Sequence, residues 1–110
     1  MFRVVFHPAV TDDLLQQFDR QIAKLMIAKT EARLREHPEP DGRVIKRLQH
    51  LVTAIFFEYK VRLDWRAVFY LDVTHREVRV LGYVPKNLGT RLFDKRLELF
   101  FSHRYGKFWL

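Results

Sequence analysis

Tyr59-Lys60-Val61-Arg62-Leu63-Asp64-Trp65-Arg66-Ala67-Val68-Phe69-Tyr70 reads as two β-strands joined by a connection of hairpin length. From Tyr59 to Leu63 apolar and cationic residues alternate with a period of two, so one strand face packs inward and the other presents charge. The surrounding pattern predicts strands over Ala54 to Leu63, Arg66 to Val73 and Glu77 to Val84, separated by Asp64-Trp65 and Thr74-His75-Arg76. Glu77-Val78-Arg79-Val80-Leu81 repeats the alternation, so the sheet has a second cationic strand.

Upstream, Val44-Ile45-Lys46-Arg47-Leu48 reads as a short amphipathic turn, preceded by the helix-breaking run His37-Pro38-Glu39-Pro40-Asp41-Gly42. Before that run lie two helical patterns. Val10, Leu14, Leu15 and Phe18 recur at helical spacing between Ala9 and Phe18, with Asp12 and Asp13 near the positive end of the dipole. A second helix is expected from Arg20 to about Glu36, capped by Asp19, with Ile22, Leu25 and Met26 inward and Lys24, Lys29, Arg33 and Arg35 on the wetter side. Phe2-Arg3-Val4-Val5-Phe6 is a short strand that ends at His7-Pro8. Beyond Pro85 and Gly89, the spacing of Leu92, Phe93, Leu97, Phe100 and Phe101 predicts a last helix. The expected fold is α+β in the order β-α-α-β-β-β: a mostly antiparallel four-stranded sheet, two N-terminal helices on one face and a C-terminal helix. One domain spans 1–110, with about 90–110 as its helical extension.

Composition narrows the function classes. Ten Phe, four Tyr and two Trp in 110 residues supply a core, and the absence of cysteine excludes disulfides, a thiol nucleophile and thiolate zinc sites. No apolar run approaches the roughly 18 residues of a membrane helix, and Met1-Phe2-Arg3 leads into a strand, so a soluble, cytoplasmic protein without membrane partners is expected. The net charge of +7 is unevenly placed: residues 1–42 hold six basic and seven acidic side chains, residues 43–110 fourteen and six. Such a basic second part attracts phosphate backbones or acidic proteins. The five histidines show no HExxH or similar ligand spacing, and no Gly-rich phosphate loop or GxSxG elbow is present, so neither a metal nor another cofactor is expected. His50 and His75 stay open as an acid or base, since imidazole titrates in the useful range.

Phe6-His7-Pro8 before an acidic first helix, the His37 to Gly42 break before Lys46-Arg47-Leu48, and the Tyr59 to Tyr70 segment together resemble the RelE/ParE toxin superfamily over roughly residues 2–86. The resemblance implies a toxin of a type II toxin-antitoxin system, held inactive by a cognate antitoxin. RelE-like members cut mRNA in the ribosomal A site without metal; ParE-like members bind DNA gyrase and need no catalytic residues of their own. A third possibility is a non-toxic RelE-like binding scaffold. Fold cannot choose among them.

Metal-free RNA cleavage uses the 2′-hydroxyl as nucleophile, so the protein must move protons and neutralise phosphoryl charge. Clustered cations suit both tasks. Lys60 and Arg62, two apart on a regular strand, would share a face, and Arg66 could join them across the hairpin. Spacing and resemblance together assign Arg66 to the scissile phosphate, Arg62 to its support and Lys60 to proton transfer. The competing reading makes all three the wet side of a sheet. Lys46, Arg47, Lys86 and Arg91 are candidates for holding RNA backbone. The family's tyrosine, about six residues past the position of Lys86, is missing, since Leu92 stands there. Trp65 could stack on a base or simply pack.

Overall fold

The computed structural model describes residues 1–48 and 56–86. The elements run β1 (Arg3–Phe6), α1 (Val10–Gln17), α2 (Arg20–Glu36), β2 (Ile45–Arg47), β3 (Phe56–Arg62), β4 (Trp65–Asp72) and β5 (Glu77–Pro85). The five strands form one mixed sheet in the order β1-β5-β4-β3-β2. The chain leaves β1 at one edge, crosses one face through α1 and α2, enters the other edge as β2, and returns by hairpins until β5 lies parallel to β1.

This corrects the four-stranded expectation. Ile45-Lys46-Arg47, read as an amphipathic turn, is a fifth strand paired antiparallel to β3 through Ile45↔Tyr59, Lys46↔Glu58 and Arg47↔Phe57. Three residues are too few for a periodicity to show, and the pairing comes from tertiary contact. The expected C-terminal helix, at about 90–110, lies outside the described residues.

Each local feature has a physical cause. Asp19 caps α2, its Oδ1 accepting the Ile22 N–H at 2.9 Å. Ala9 offers α1 no side-chain cap, and His7 Nδ1 accepts the Ala9 N–H at 3.1 Å instead. After α2, Asp41 Oδ1 accepts the amides of Arg43, Val44 and Ile45 at 2.8, 3.0 and 3.1 Å, folding the break into a tight turn that aims β2 at β3. Gly42 has φ +74°, a left-handed conformation in which a side chain would be strained.

The core lies between the helices and one sheet face. Val10 and Leu14 of α1, with Ala23, Met26 and Leu34 of α2, pack on Ile45, Tyr59, Val61, Ala67, Phe69, Val78 and Val80. Leu25, expected inward, is 62% exposed. Met26, Ala23 and Leu34 hold the buried stripe of α2, and Leu25 projects away from it. A buried chain also ties α2 to β5. The Tyr83 hydroxyl donates to Thr30 Oγ1 at 2.7 Å, and Thr30 donates to the Met26 carbonyl at 2.7 Å. Burial pushes the Tyr83 phenol well above its ordinary range. Among the described residues no helix is long and apolar enough to cross a membrane.

Candidate functional site

Register decides which cations meet. Directly opposed residues of an antiparallel pair lie on the same side of the sheet, so Lys60↔Arg66↔Val84 forms one row across β3, β4 and β5. The neighbouring β3 position on this face, Glu58, stands between Lys46 of β2 and Val68 of β4. Lys46, Glu58, Lys60 and Arg66 thus share the face turned away from the helices, which carries no other charge at this end of β3 and β4 among the described residues.

Arg62 does not join them. The ladder between β3 and β4 shifts between Lys60 and Arg62, so Val61 is an extra residue and Arg62 pairs with Trp65. This bulge returns Arg62 to the helix-covered side, where its guanidinium carbon lies 5.6 Å from the centroid of the Phe18 ring. Phe18 in turn meets Trp65 edge to face, with centroids 5.0 Å apart. Lys29 of α2 reaches into the bulge and donates to the Val61 carbonyl at 2.9 Å. The expectation that Lys60 and Arg62 share a face assumed a regular strand, and no residue type in Lys60-Val61-Arg62 announces the bulge.

Arg66 is 9% exposed. Its Nη1 donates to the carbonyls of Arg62, Leu63 and Trp65, each at 3.2 Å, and so gathers the β3–β4 turn around a cation. Among the described residues no carboxylate pairs with Arg66, so carbonyl dipoles rather than a counter-charge stabilise it. Lys60, half-buried opposite it, has no side-chain hydrogen-bond or ion-pair partner among the described residues. Two like charges directly opposed across a ladder are destabilising. The sheet keeps this pair nonetheless.

The remaining candidates scatter. Lys86 is exposed, and its N–H donates to the Asp64 carbonyl at 2.8 Å, which places it beside the β3–β4 turn. Arg47 pairs with Phe57 and therefore sits on the helix side of the β2 edge, opposite to Lys46. Arg91 and His50 lie outside the described residues. His75 occupies the β4–β5 turn, its Nδ1 2.8 Å from Asp72 Oδ2, six strand residues or about 20 Å from Arg66. Tyr83 pairs with Ala67 on the helix side and cannot stand in for the missing tyrosine. Glu58 is the residue that the sequence reading passed over. It supplies a carboxylate, able to accept a proton, on the same face as Lys60. It lies inside the strand expected over Ala54 to Leu63, one residue before the alternation that begins at Tyr59. No group of three or more His, Asp or Glu side chains suited to a metal ion occurs among the described residues.

No protein-family model matches the chain, and no curated protein matches it by sequence. Solved structures do match. The chain is similar to the archaeal RelE–RelB complex from Pyrococcus horikoshii at 16% identity and TM-score 0.60, over 80% of this chain and 98% of that one. It is similar to the toxin-antitoxin complex RelBE2 from Mycobacterium tuberculosis at 21% identity and TM-score 0.61, over 76% and 96%. A metal-bound toxin from Helicobacter pylori aligns at 15% identity and TM-score 0.52, over 77% and 94%. The chain has a RelE-like toxin fold.

Proposed function

We propose that the protein is a RelE-type toxin that cleaves mRNA on the ribosome and is held inactive by a cognate antitoxin. The observation that carries this reading is the Lys60–Arg66 row: two cations directly opposed, one buried on carbonyl dipoles, with a carboxylate one position away on the same face. A bound phosphodiester would relieve the repulsion and gain from both charges. Arg66 neutralises the phosphoryl oxygens with the guanidinium donors that the turn carbonyls leave over. Lys60 protonates the departing 5′ oxygen, and Glu58 accepts the 2′-hydroxyl proton. The 2′ oxygen then attacks the adjacent phosphorus, forming a cyclic phosphate as the P–O5′ bond breaks. Lys46 and Lys86 hold flanking backbone. Two of the similar structures are toxin-antitoxin complexes, which supports an antitoxin as partner here.

A reconstituted translation reaction with mapped RNA ends tests the reading. Ribosome-dependent cuts that vanish in Lys60→Gln are expected, whereas intact mRNA under arrested translation would overturn it. One set of observations favours a different target. Arg66 already serves the turn, and no tyrosine stands about six residues past Lys86 in the sequence, as a protein that binds DNA gyrase without chemistry would allow. Inhibited supercoiling by purified gyrase, with mRNA uncut, is the result expected of that alternative.

A further inference from the structure

Arg62, Trp65 and Pro85 form a second register row, one step beyond Lys60–Arg66–Val84 and on the opposite face of the same sheet end. Phe18, which follows the last turn of α1, walls this row. Phe18 and Trp65 are only half-buried, although two aromatic rings in edge-to-face contact are natural core material. Arg62 is exposed, with its guanidinium placed over the Phe18 ring. Beside the row Leu63 is 70% exposed, and Lys86 adds a cation through its tie to Asp64.

We infer that Arg62, Trp65 and Phe18 form a base-stacking subsite for single-stranded RNA, adjoining the phosphate-binding row of Lys60 and Arg66. The inference rests on the RNA reading above. A planar cation and half-exposed aromatic rings grouped at one edge are what an unpaired base can stack on. One strand step separates the rows, about 3.3 Å, so an RNA chain rounding the exposed Leu63-Asp64 turn touches phosphate on one face and offers its neighbouring base to the other. An acidic peptide would satisfy Arg62 and Lys86 but would leave the indole without a matching plane.

The test uses the full chain carrying Trp109→Phe, so that Trp65 is the one remaining tryptophan. A short 2′-O-methyl RNA, which cannot be cleaved, is titrated at low salt while Trp65 emission and the anisotropy of the labelled RNA are followed. Emission should quench on binding. The same RNA with abasic sugars should bind about tenfold more weakly and quench little. Arg62→Gln, whose circular dichroism should be unchanged, should weaken binding several-fold. Lys60→Gln should weaken it while leaving the quench at saturation intact. RNA bound with unchanged Trp65 emission, equal affinity for the abasic RNA, or no binding at all would overturn the subsite. Equal quenching by polyglutamate would overturn it in favour of an acidic partner. The cleavage reading is judged separately by mapped ends in the translation reaction, so it can survive the loss of the subsite.

Discussion

Two turns flank the candidate site, and they are electrical opposites. At the entry to β2 the Asp41 carboxylate gathers three backbone amides, and its other oxygen accepts from Arg33 Nη2 at 3.0 Å. At the β3–β4 junction the Arg66 guanidinium gathers three backbone carbonyls. Both devices give main-chain groups at a turn a charged side-chain partner. They differ in what remains. Asp41 meets a full counter-charge, so its turn is closed. Among the described residues Arg66 meets only carbonyl dipoles, so a unit charge stands beside Lys60 there. The same local solution therefore shapes one turn and prepares the other for an anion.

The largest effects should fall on Arg66. Arg66→Ala removes a phosphate ligand and leaves turn carbonyls without their donor, so cleavage should disappear and stability should fall by about 1–3 kcal/mol in urea unfolding. Lys60→Gln sharpens the contrast. Cleavage should drop about 100-fold or more with stability within about 0.5 kcal/mol of wild type, because this side chain supports no turn. Equal loss of stability in the two variants would break the distinction between a cation that builds and a cation that acts.

Asp41 should reveal itself through pH. Hydrogen bonds from the Arg43 and Ile45 amides hold its carboxyl well below the ordinary carboxylate range, with Arg33 and Val44 adding to the effect. Its folded-state pKa is depressed, so its contribution is complete above the unfolded value near 4 and is lost as pH falls toward the folded value. Urea midpoints of the wild type should decline from about pH 4 downward, and Asp41→Asn should flatten that decline. An identical acid slope in both proteins would show that the turn does not depend on the charge.

The sequence made some of this plain and hid the rest for reasons of length and register. Helix α2 was readable from Arg20 to Glu36 because seventeen residues carry several turns of period and a recognisable cap in Asp19. The three strands β3 to β5 showed through alternation and turn residues. Strand β2 did not, since three residues hold no period, and Leu25 looked like core because it is apolar and next to Met26. Lys60 and Arg66 were legible as cations near one hairpin. Alternation in a regular ladder places Arg62 with them; the bulge that reverses its side shows only in the paired strands, where Lys29, thirty-two residues from Val61, donates to the Val61 carbonyl. Glu58 lies in the same expected strand, just before that alternation, and its charge is opposite to that of the cations beside it.

That bulge gives the smallest and most discriminating prediction. Lys29→Met removes the donor to the Val61 carbonyl, and since Lys29 is exposed, water can take its place. Stability should fall by only about 0.5–1 kcal/mol, as urea unfolding would show. Cleavage should stay within about threefold of wild type if the phosphate row is held by the β3–β4 turn, because Arg66 gathers that turn without help from α2. Trp65 emission should respond more than cleavage does, since the bulge fixes Arg62 over Phe18 and Trp65 shares that contact. If cleavage instead fell tenfold with emission unchanged, the bulge would be setting the Lys60–Arg66 row itself, and the two faces of this sheet end would be one unit rather than two.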